Sequence, residues 1–95
     1  MAEKFLEVQD IRRAAAELND SDLDAVINQM SDEEFLDSEF ENDLELDSLE
    51  VTELTMNLEK DFDISIPDSS LHFFKRNGNT VRAMLEEYNR VLQYM

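Results

Sequence analysis

Hydrophobic positions in the first thirty residues recur at the spacing of amphipathic helices. The pattern predicts a first helix over about residues 3–18, with one apolar face made of Phe5, Val8, Ile11, Ala15 and Leu18. Polar residues 19–21 interrupt this face. A second, shorter apolar stripe then follows at Leu23, Val26, Ile27 and Met30. Asp20 or Ser21 can cap it, and the pattern is compatible with two helices or with one bent helix.

The next stretch, residues 31–47, has no helical period. It is acidic, and single apolar residues punctuate it at Phe35, Leu36, Phe40, Leu44 and Leu46. This pattern predicts a long loop whose apolar residues anchor it to the core. Loops of this length are usually functional or disordered.

A long helix is predicted to follow this loop. Asp47 and Glu50 have the spacing of a capping box, so the helix should begin there, run to about Asp61 and hold Ser48 in its first turn. Its core face is predicted to consist of Val51, Leu54, Thr55, Leu58 and Phe62.

The opposite face of the same helix carries Leu49 and Met56 together with Thr52, Glu53 and Lys60. A bundle this small has no second core, so these side chains should be exposed. Apolar residues interleaved with acids are typical of a protein-docking surface. Single exposed apolar residues are also common without any function, and both interpretations stay open.

The last third of the chain should be helical after a short extended segment at Ile64–Pro67. Pro67 favours the start of a short helix through Phe74, and residues 77–79, Asn-Gly-Asn, should break it. A final helix capped by Thr80 has its apolar residues at Val81, Met84, Leu85, Tyr88, Val91 and Leu92. The chain is therefore predicted to be all-α, with four or five helices in a single domain, 1–95.

Composition excludes several classes of chemistry. The chain has no cysteine, so it has no disulfide and no cysteine nucleophile or ligand, and a cofactor must supply any thiol. We predict no metal site. The chain has no apolar run of about 18 residues and no signal-like N-terminus, which predicts a soluble, cytoplasmic protein without stable membrane insertion.

The net charge of -16 comes from 24 acidic and 8 basic residues. Fifteen of the 24 acidic residues lie in residues 31–68, where Lys60 is the only basic residue. Such a field repels nucleic acid and steers basic protein surfaces toward itself. It can also serve only to keep the surface solvated.

Ser48 differs from the other serines that follow an aspartate. Asp-Ser pairs begin at residues 20, 37, 47 and 68, and three of these are expected to be caps or turns. Only Ser48 precedes a leucine and the helix with two apolar faces. An anionic group on a first-turn serine would be stabilised by about 0.3–1 kcal/mol through the helix dipole and free N–H groups.

Five short motifs in this region, in order, resemble those of acyl carrier proteins. They are Phe40-Glu41-Asn42-Asp43-Leu44, Asp47-Ser48-Leu49, Leu58-Glu59-Lys60-Asp61-Phe62, Ile64-Ser65-Ile66-Pro67-Asp68 and, less closely, the helix from Thr80-Val81 onward. The good match covers about residues 37–71. The resemblance implies a small acyl-carrier-like four-helix bundle, with a long loop before the second main helix and residues 1–19 as an N-terminal extension or extra helix.

The resemblance also implies a function. A phosphopantetheinyl transferase would attach 4'-phosphopantetheine from coenzyme A to Ser48, within the motif formed with Asp47 and Leu49, and acyl groups would be held on it as thioesters. The implied acyl pocket is Val51, Leu54, Thr55, Leu58, Phe62, Ile66 and Phe74. The implied partner surface is Leu49, Glu50, Glu53, Met56 and Glu59. The partners would be acyl-processing enzymes with basic patches, and the protein, a monomer, would catalyse nothing itself.

Several residues depart from the family pattern. Glu45 stands where a glycine is usual and is expected to alter the loop, while Thr52 and Thr55 replace apolar residues. A hydroxyl at Thr55 either makes the pocket more polar or bonds a carbonyl group of its own helix. Lys60, the longer N-terminus and an insertion at 72–79 add to these departures, which favour a specialised carrier over a housekeeping fatty-acid carrier.

Three other functions compete with this interpretation. An acidic adaptor would use the same surface with Ser48 unmodified. A calcium sensor is suggested by the acidic run 20–24, but Ala25 and Ser31 replace the glycine and glutamate that a calcium loop needs. An enzyme is disfavoured because no nucleophile is paired with a base and His72, the single histidine, has no evident partner. The acyl group and the pathway stay open.

Overall fold

The computed structural model describes residues 5–67, 69–70 and 80–93. In these ranges the chain forms five helices and no strand: α1 Val8–Ala16, α2 Ser21–Asn28, α3 Asp32–Leu36, α4 Ser48–Phe62 and α5 Val81–Leu92. The all-α prediction is confirmed. The predicted short helix through Phe74 and the break at 77–79 lie outside the described residues, except for Ser69 and Ser70, which are helical.

The first two apolar stripes form two separate helices. The predicted start of the first is wrong, because α1 begins at Val8 and Phe5, which lies before it, is 46% exposed. Asn19 has φ 59, a left-handed conformation that ends one helical direction before the next begins. Asp20 then caps α2, because its Oδ1 accepts hydrogen bonds from the backbone N–H groups of Asp22 at 3.1 Å and Leu23 at 3.2 Å. The candidate calcium residues 20–24 are thus the cap and first turn of a helix. Among the described residues, no cluster of side chains suits a metal ion.

The prediction of a loop throughout residues 31–47 is wrong for α3. Ser31 Oγ accepts from the Glu34 N–H at 3.2 Å, and Glu34 Oε1 accepts from the Ser31 N–H at 3.1 Å. This reciprocal capping stabilises a helix of only five residues, which is too short to show an apolar period. Phe35 on α3 is fully buried, and Phe40, Leu44 and Leu46 anchor the remaining loop as expected.

The core joins α1, α4 and α5, and α1 is the nearest neighbour of α4. Asn57 on α4 donates from its side chain to the carbonyl oxygen of Ala14 on α1 at 3.2 Å. Asn89 on α5 exchanges two hydrogen bonds with the backbone of Leu6, at 2.7 and 2.9 Å. The segment before α4 is therefore attached to the bundle at several points. The single domain with an extension or extra helix at 1–19 stays a prediction.

The loop before α4 is held at both ends. At its start, the Val81 N–H donates to the Ser38 carbonyl oxygen at 3.0 Å, and Arg82 pairs with Asp37 and Glu33 at 3.0 and 3.1 Å. Near its end, the Leu46 N–H donates to the Phe40 carbonyl oxygen at 2.7 Å. These contacts set the point at which α4 begins.

No helix in the described ranges is long and apolar enough to cross a membrane.

Glu45 has φ 55, in the left-handed region that favours glycine. A side chain in this region clashes with the following carbonyl group at a cost of roughly 1–2 kcal/mol. Because Glu45 stands where the acyl carrier pattern has a glycine, the backbone is strained two residues before Asp47, the cap of α4.

Replacing Glu45 with glycine should stabilise the fold. We expect Glu45→Gly to raise the free energy of unfolding by about 0.5–1 kcal/mol, because relief of strain exceeds the extra entropy of an unfolded glycine. Urea unfolding measures this change. Asn19→Gly is the matched control, since asparagine tolerates φ 59 and should gain less. An equal gain in both variants would contradict the explanation.

Candidate modification site at the start of α4

The start of α4 is built by a capping box. Asp47 Oδ1 accepts from the Glu50 N–H at 2.8 Å, and Glu50 Oε1 accepts from the Asp47 N–H at 3.3 Å. This reciprocal pair satisfies two of the amide groups that a helix N-terminus leaves unpaired. The D-x-x-E spacing of the sequence is thus realised in three dimensions.

Ser48 is the first residue of α4, and its side chain is exposed. Its carbonyl oxygen accepts from Thr52 Oγ1 at 2.9 Å, but its hydroxyl group makes no hydrogen bond within the described part of the chain. The N–H groups of Ser48 and Leu49 likewise have no acceptor there. The site therefore combines an accessible hydroxyl group with two free amide donors at the positive end of a helix dipole.

The two faces of α4 differ in burial. Val51, Leu54, Thr55 and Leu58 are buried, whereas Leu49 and Met56 are 66% and 58% exposed. Glu53 lies between them in sequence and is also exposed. Leu49, Glu53 and Met56 together form what we call the α4 strip, which begins one residue after Ser48.

Two further candidates for the partner surface have bonds within the fold. Glu59 Oε2 accepts from the Ile66 N–H at 2.8 Å and so holds the extended segment after α4 against the helix. Glu50 belongs to the capping box. Both are half-buried, and each has one carboxylate oxygen committed to a backbone N–H group.

Among the predicted pocket residues, Thr55 makes a polar contact that the sequence did not reveal. Thr55 Oγ1 is 2.8 Å from the hydroxyl oxygen of Tyr88 on α5, and it donates to the Val51 carbonyl oxygen at 3.1 Å. One of the two effects expected of Thr55, a bond to a carbonyl oxygen of its own helix, is therefore present. Burial raises the pKa of Tyr88, so its hydroxyl group stays protonated. Ile66 is buried and Phe62 half-buried, while Phe74 lies outside the described residues.

An open groove of about 340 Å³ lies beside the α4 strip. Its walls come from the end of α1 and the following turn, and from α4: Glu17, Leu18, Asn19, Glu53, Met56 and Asn57. The pKa of Glu17 is raised, mainly by the side chain of Asp61, because a protonated Glu17 can donate a hydrogen bond to it. Lys60 Nζ lies 3.8 Å from Glu17 Oε2 and partly offsets this effect. The groove could not be predicted from the sequence, because its two walls are about 35 residues apart along the chain.

Comparison with known proteins identifies the family. The family model described as "Phosphopantetheine attachment site" matches residues 8–87, which is most of the chain. The chain belongs to this family. The matched segment begins at the first residue of α1 and includes all of α4 and most of α5.

Several curated acyl carrier proteins are similar to this chain. That of Petrotoga mobilis is 41% identical over 58 residues, which are 61% of this chain and 68% of the relative. That of Porphyromonas gingivalis is 40% identical over 55 residues, 58% and 70% of the two chains. That of Prochlorococcus marinus is 48% identical over 46 residues, 48% and 58%. No solved structure matches the chain significantly.

Family membership confirms three predictions. The resemblance to acyl carrier proteins is confirmed, and the protein is a carrier rather than an enzyme. The predicted cofactor, a covalently attached 4'-phosphopantetheine, is also confirmed.

The start of α4 fits this group. The attachment is a phosphodiester to a hydroxyl oxygen, and Ser48 presents such an oxygen at the surface. The free N–H groups of Ser48 and Leu49 suit the phosphodiester oxygens, because helix N-termini bind anions. The arm supplies the thiol that the cysteine-free chain lacks.

Proposed function

We propose that Ser48 Oγ carries the 4'-phosphopantetheine arm, and that the protein presents acyl thioesters on it to enzymes of fatty acid, polyketide or related biosynthesis. The observation that carries the proposal is the exposed, unbonded hydroxyl group of Ser48 at the capped start of α4. The Asp47 carboxylate is committed to the Glu50 N–H group. We propose that the transferase supplies the base that takes the serine proton.

The arm works by tethering. A short flexible link raises the effective concentration of its cargo at a bound enzyme to the millimolar order, so weak docking is enough for efficient transfer. Weak docking also allows the carrier to leave one enzyme for the next. We propose that the protein is a monomer in the cytoplasm. We also propose that it has no nucleic-acid partner, because a net charge of -16 repels a polyanion.

We propose that partners dock on the α4 strip and on Glu50 and Glu59. Leu49 and Met56 offer apolar contact, and the carboxylates orient a basic patch on the transferase or on an acyl-processing enzyme. Glu53 makes no ion pair within the described part of the chain, so it is the carboxylate that a partner can pair with at least cost.

The attachment is tested by incubating the protein with a broad-specificity phosphopantetheinyl transferase and coenzyme A. Intact-protein mass spectrometry should show the gain of one phosphopantetheine group, and fragmentation should locate it on Ser48. An unchanged mass with several such transferases would instead favour the acidic adaptor.

Reversing one charge on the α4 strip should impair docking without unfolding the protein. We expect Glu53→Lys to lower the kcat/KM of the transferase by about tenfold, because like charges oppose docking, and to change the unfolding temperature little. Glu86→Lys is the matched control, since Glu86 is also exposed but lies on α5. Equal loss in both variants would show a net-charge effect rather than a docking surface.

A further inference from the structure

The sulfur chemistry of the polypeptide is confined to methionine. The chain has no cysteine, so its five methionines carry all of its sulfur atoms. Three of them, Met30, Met56 and Met84, lie in the described residues. Peroxides convert a thioether that solvent reaches into a sulfoxide, whereas burial protects it. The place of each methionine in the fold therefore decides which one reacts first.

The three described methionines differ in exposure. Met84 is fully buried in the core, and Met30 is half-buried, with Ser38 Oγ 3.4 Å from its Sδ. Met56 is 58% exposed. It also lines the open groove between the end of α1 and α4, so small molecules can approach its side chain from that side as well. An oxidant in solution therefore reaches Met56 more readily than the other two.

Met56 also belongs to the α4 strip, on which we propose that partners dock. It lies seven residues after Leu49, which is two helical turns, so both apolar side chains are on one face of α4. It lies eight residues after Ser48, about 12 Å along the helix, so a change at its sulfur leaves the hydroxyl group at the start of α4 untouched. A sulfoxide replaces the apolar thioether with a polar group that an approaching apolar surface must desolvate. Oxidation should therefore act on docking and not on the chemistry of attachment.

We propose that Met56 Sδ is a site of reversible oxidation by peroxide, and that its sulfoxide weakens docking of the transferase and of other partners on the α4 strip. In the forward step, one oxygen of hydrogen peroxide forms a bond to Sδ, the O–O bond breaks and water leaves, so that the sulfur loses two electrons and the peroxide gains them. In the reverse step, a methionine sulfoxide reductase releases the oxygen as water while two thiols become a disulfide. The effect on docking rests on the proposed function, whereas the site of oxidation does not.

The site of oxidation is tested on the chain before the arm is attached, because the thiol of the arm would itself react with peroxide. The protein is treated with limiting hydrogen peroxide, catalase removes the excess, and peptide mass mapping follows each methionine. We expect Met56 to be oxidised about tenfold faster than Met30 or Met84. Met1 and Met95 lie outside the described residues and are measured separately. Oxidation of Met84 at the rate of Met56 would overturn the inference.

The effect on docking is measured with a phosphopantetheinyl transferase and coenzyme A. We expect oxidation to lower kcat/KM by about five- to tenfold, because apolar contact is lost. The loss should be a rise in KM with little change in kcat, since docking contributes equally before and during the chemical step. Methionine sulfoxide reductase with dithiothreitol should restore both the mass and the KM.

Two variants assign the effect to one sulfur atom, each compared with its own untreated form. Met56→Leu removes the sulfur and keeps an apolar side chain of similar size, so peroxide should leave its KM unchanged. Met30→Leu is the matched control, because it removes the half-buried methionine and keeps Met56. Its KM should rise on oxidation as much as that of the unmodified protein.

The outcomes separate the two proposals. Failure of the untreated protein to accept phosphopantetheine overturns the proposed function and the effect on docking together. Normal loading with the same KM before and after oxidation of Met56 overturns the inference alone. A rise in KM that persists in Met56→Leu also overturns it, because another methionine would then be the cause. So does a large fall in the unfolding temperature on oxidation, because the loss would then come from unfolding.

Discussion

Ser48→Ala is expected to abolish the uptake of phosphopantetheine completely. The substitution removes the oxygen that would form the phosphodiester. The nearest other hydroxyl group on the partly exposed side of α4, that of Thr52, is committed to the carbonyl oxygen of residue 48. Stability should change by less than about 0.5 kcal/mol, since the Ser48 hydroxyl group makes no bond in the described structure. Intact mass and thermal unfolding measure both effects.

Ser21→Ala provides a close control. Ser21 is the exposed first residue of α2 and follows an aspartate that caps the helix, so its local geometry matches that of Ser48. It is followed by Asp22 rather than by a leucine and lacks the α4 strip. Full loading of Ser21→Ala with none of Ser48→Ala would show that the surrounding surface selects the serine. Loading of Ser48→Ala at another residue would refute the proposed attachment site.

Arg12→Ala is expected to destabilise the fold strongly. The Arg12 guanidinium group donates to the carbonyl oxygens of Ile27 at 3.1 Å and Met30 at 2.7 Å, and it pairs with Asp32 at 3.1 Å. It also lies 5.0 Å from the ring centre of Phe35. A single side chain on α1 therefore holds the end of α2 and the start of α3.

The magnitude follows from the bonds lost. Hydrogen bonds from a charged donor are worth about 1.5–3 kcal/mol each, but water can reach part of this site, so we expect a loss of about 2–4 kcal/mol in the free energy of unfolding. For a chain of this size, that lowers the unfolding temperature by roughly 10–20 °C. Thermal and urea unfolding should agree on the effect.

Two variants test whether this network is the cause. Arg13→Ala removes the neighbouring charge on α1, which is exposed and makes no ion pair in the described residues, so its effect should stay within about 0.5 kcal/mol. Arg12→Lys should recover only part of the loss, because an ammonium group lacks the planar fork that reaches several acceptors. Equal stability of Arg12→Ala and Arg13→Ala would contradict this account.

Local signals in the sequence were enough to predict the helices that carry the site. The capping boxes and caps at Asp47, Asp20 and Thr80 involve residues within three positions of one another, so their spacing can be read directly. The two faces of α4 follow from the helical period in the same way. Two local signals were missed. Ser31 with Glu34 starts a helix that is too short to show a period, and Glu7 with Asp10 starts α1 later than the predicted residue 3.

Only the tertiary structure decided the contacts between helices. Thr55 and Tyr88 are 33 residues apart, and Arg12 and Met30 are 18 apart. Neither pairing follows from periodicity, because a period fixes which face of a helix is apolar but not the angle or the depth at which two faces meet. The groove beside the α4 strip and the bond that commits Glu59 to Ile66 also depend on how the chain packs, so neither could be predicted from the sequence.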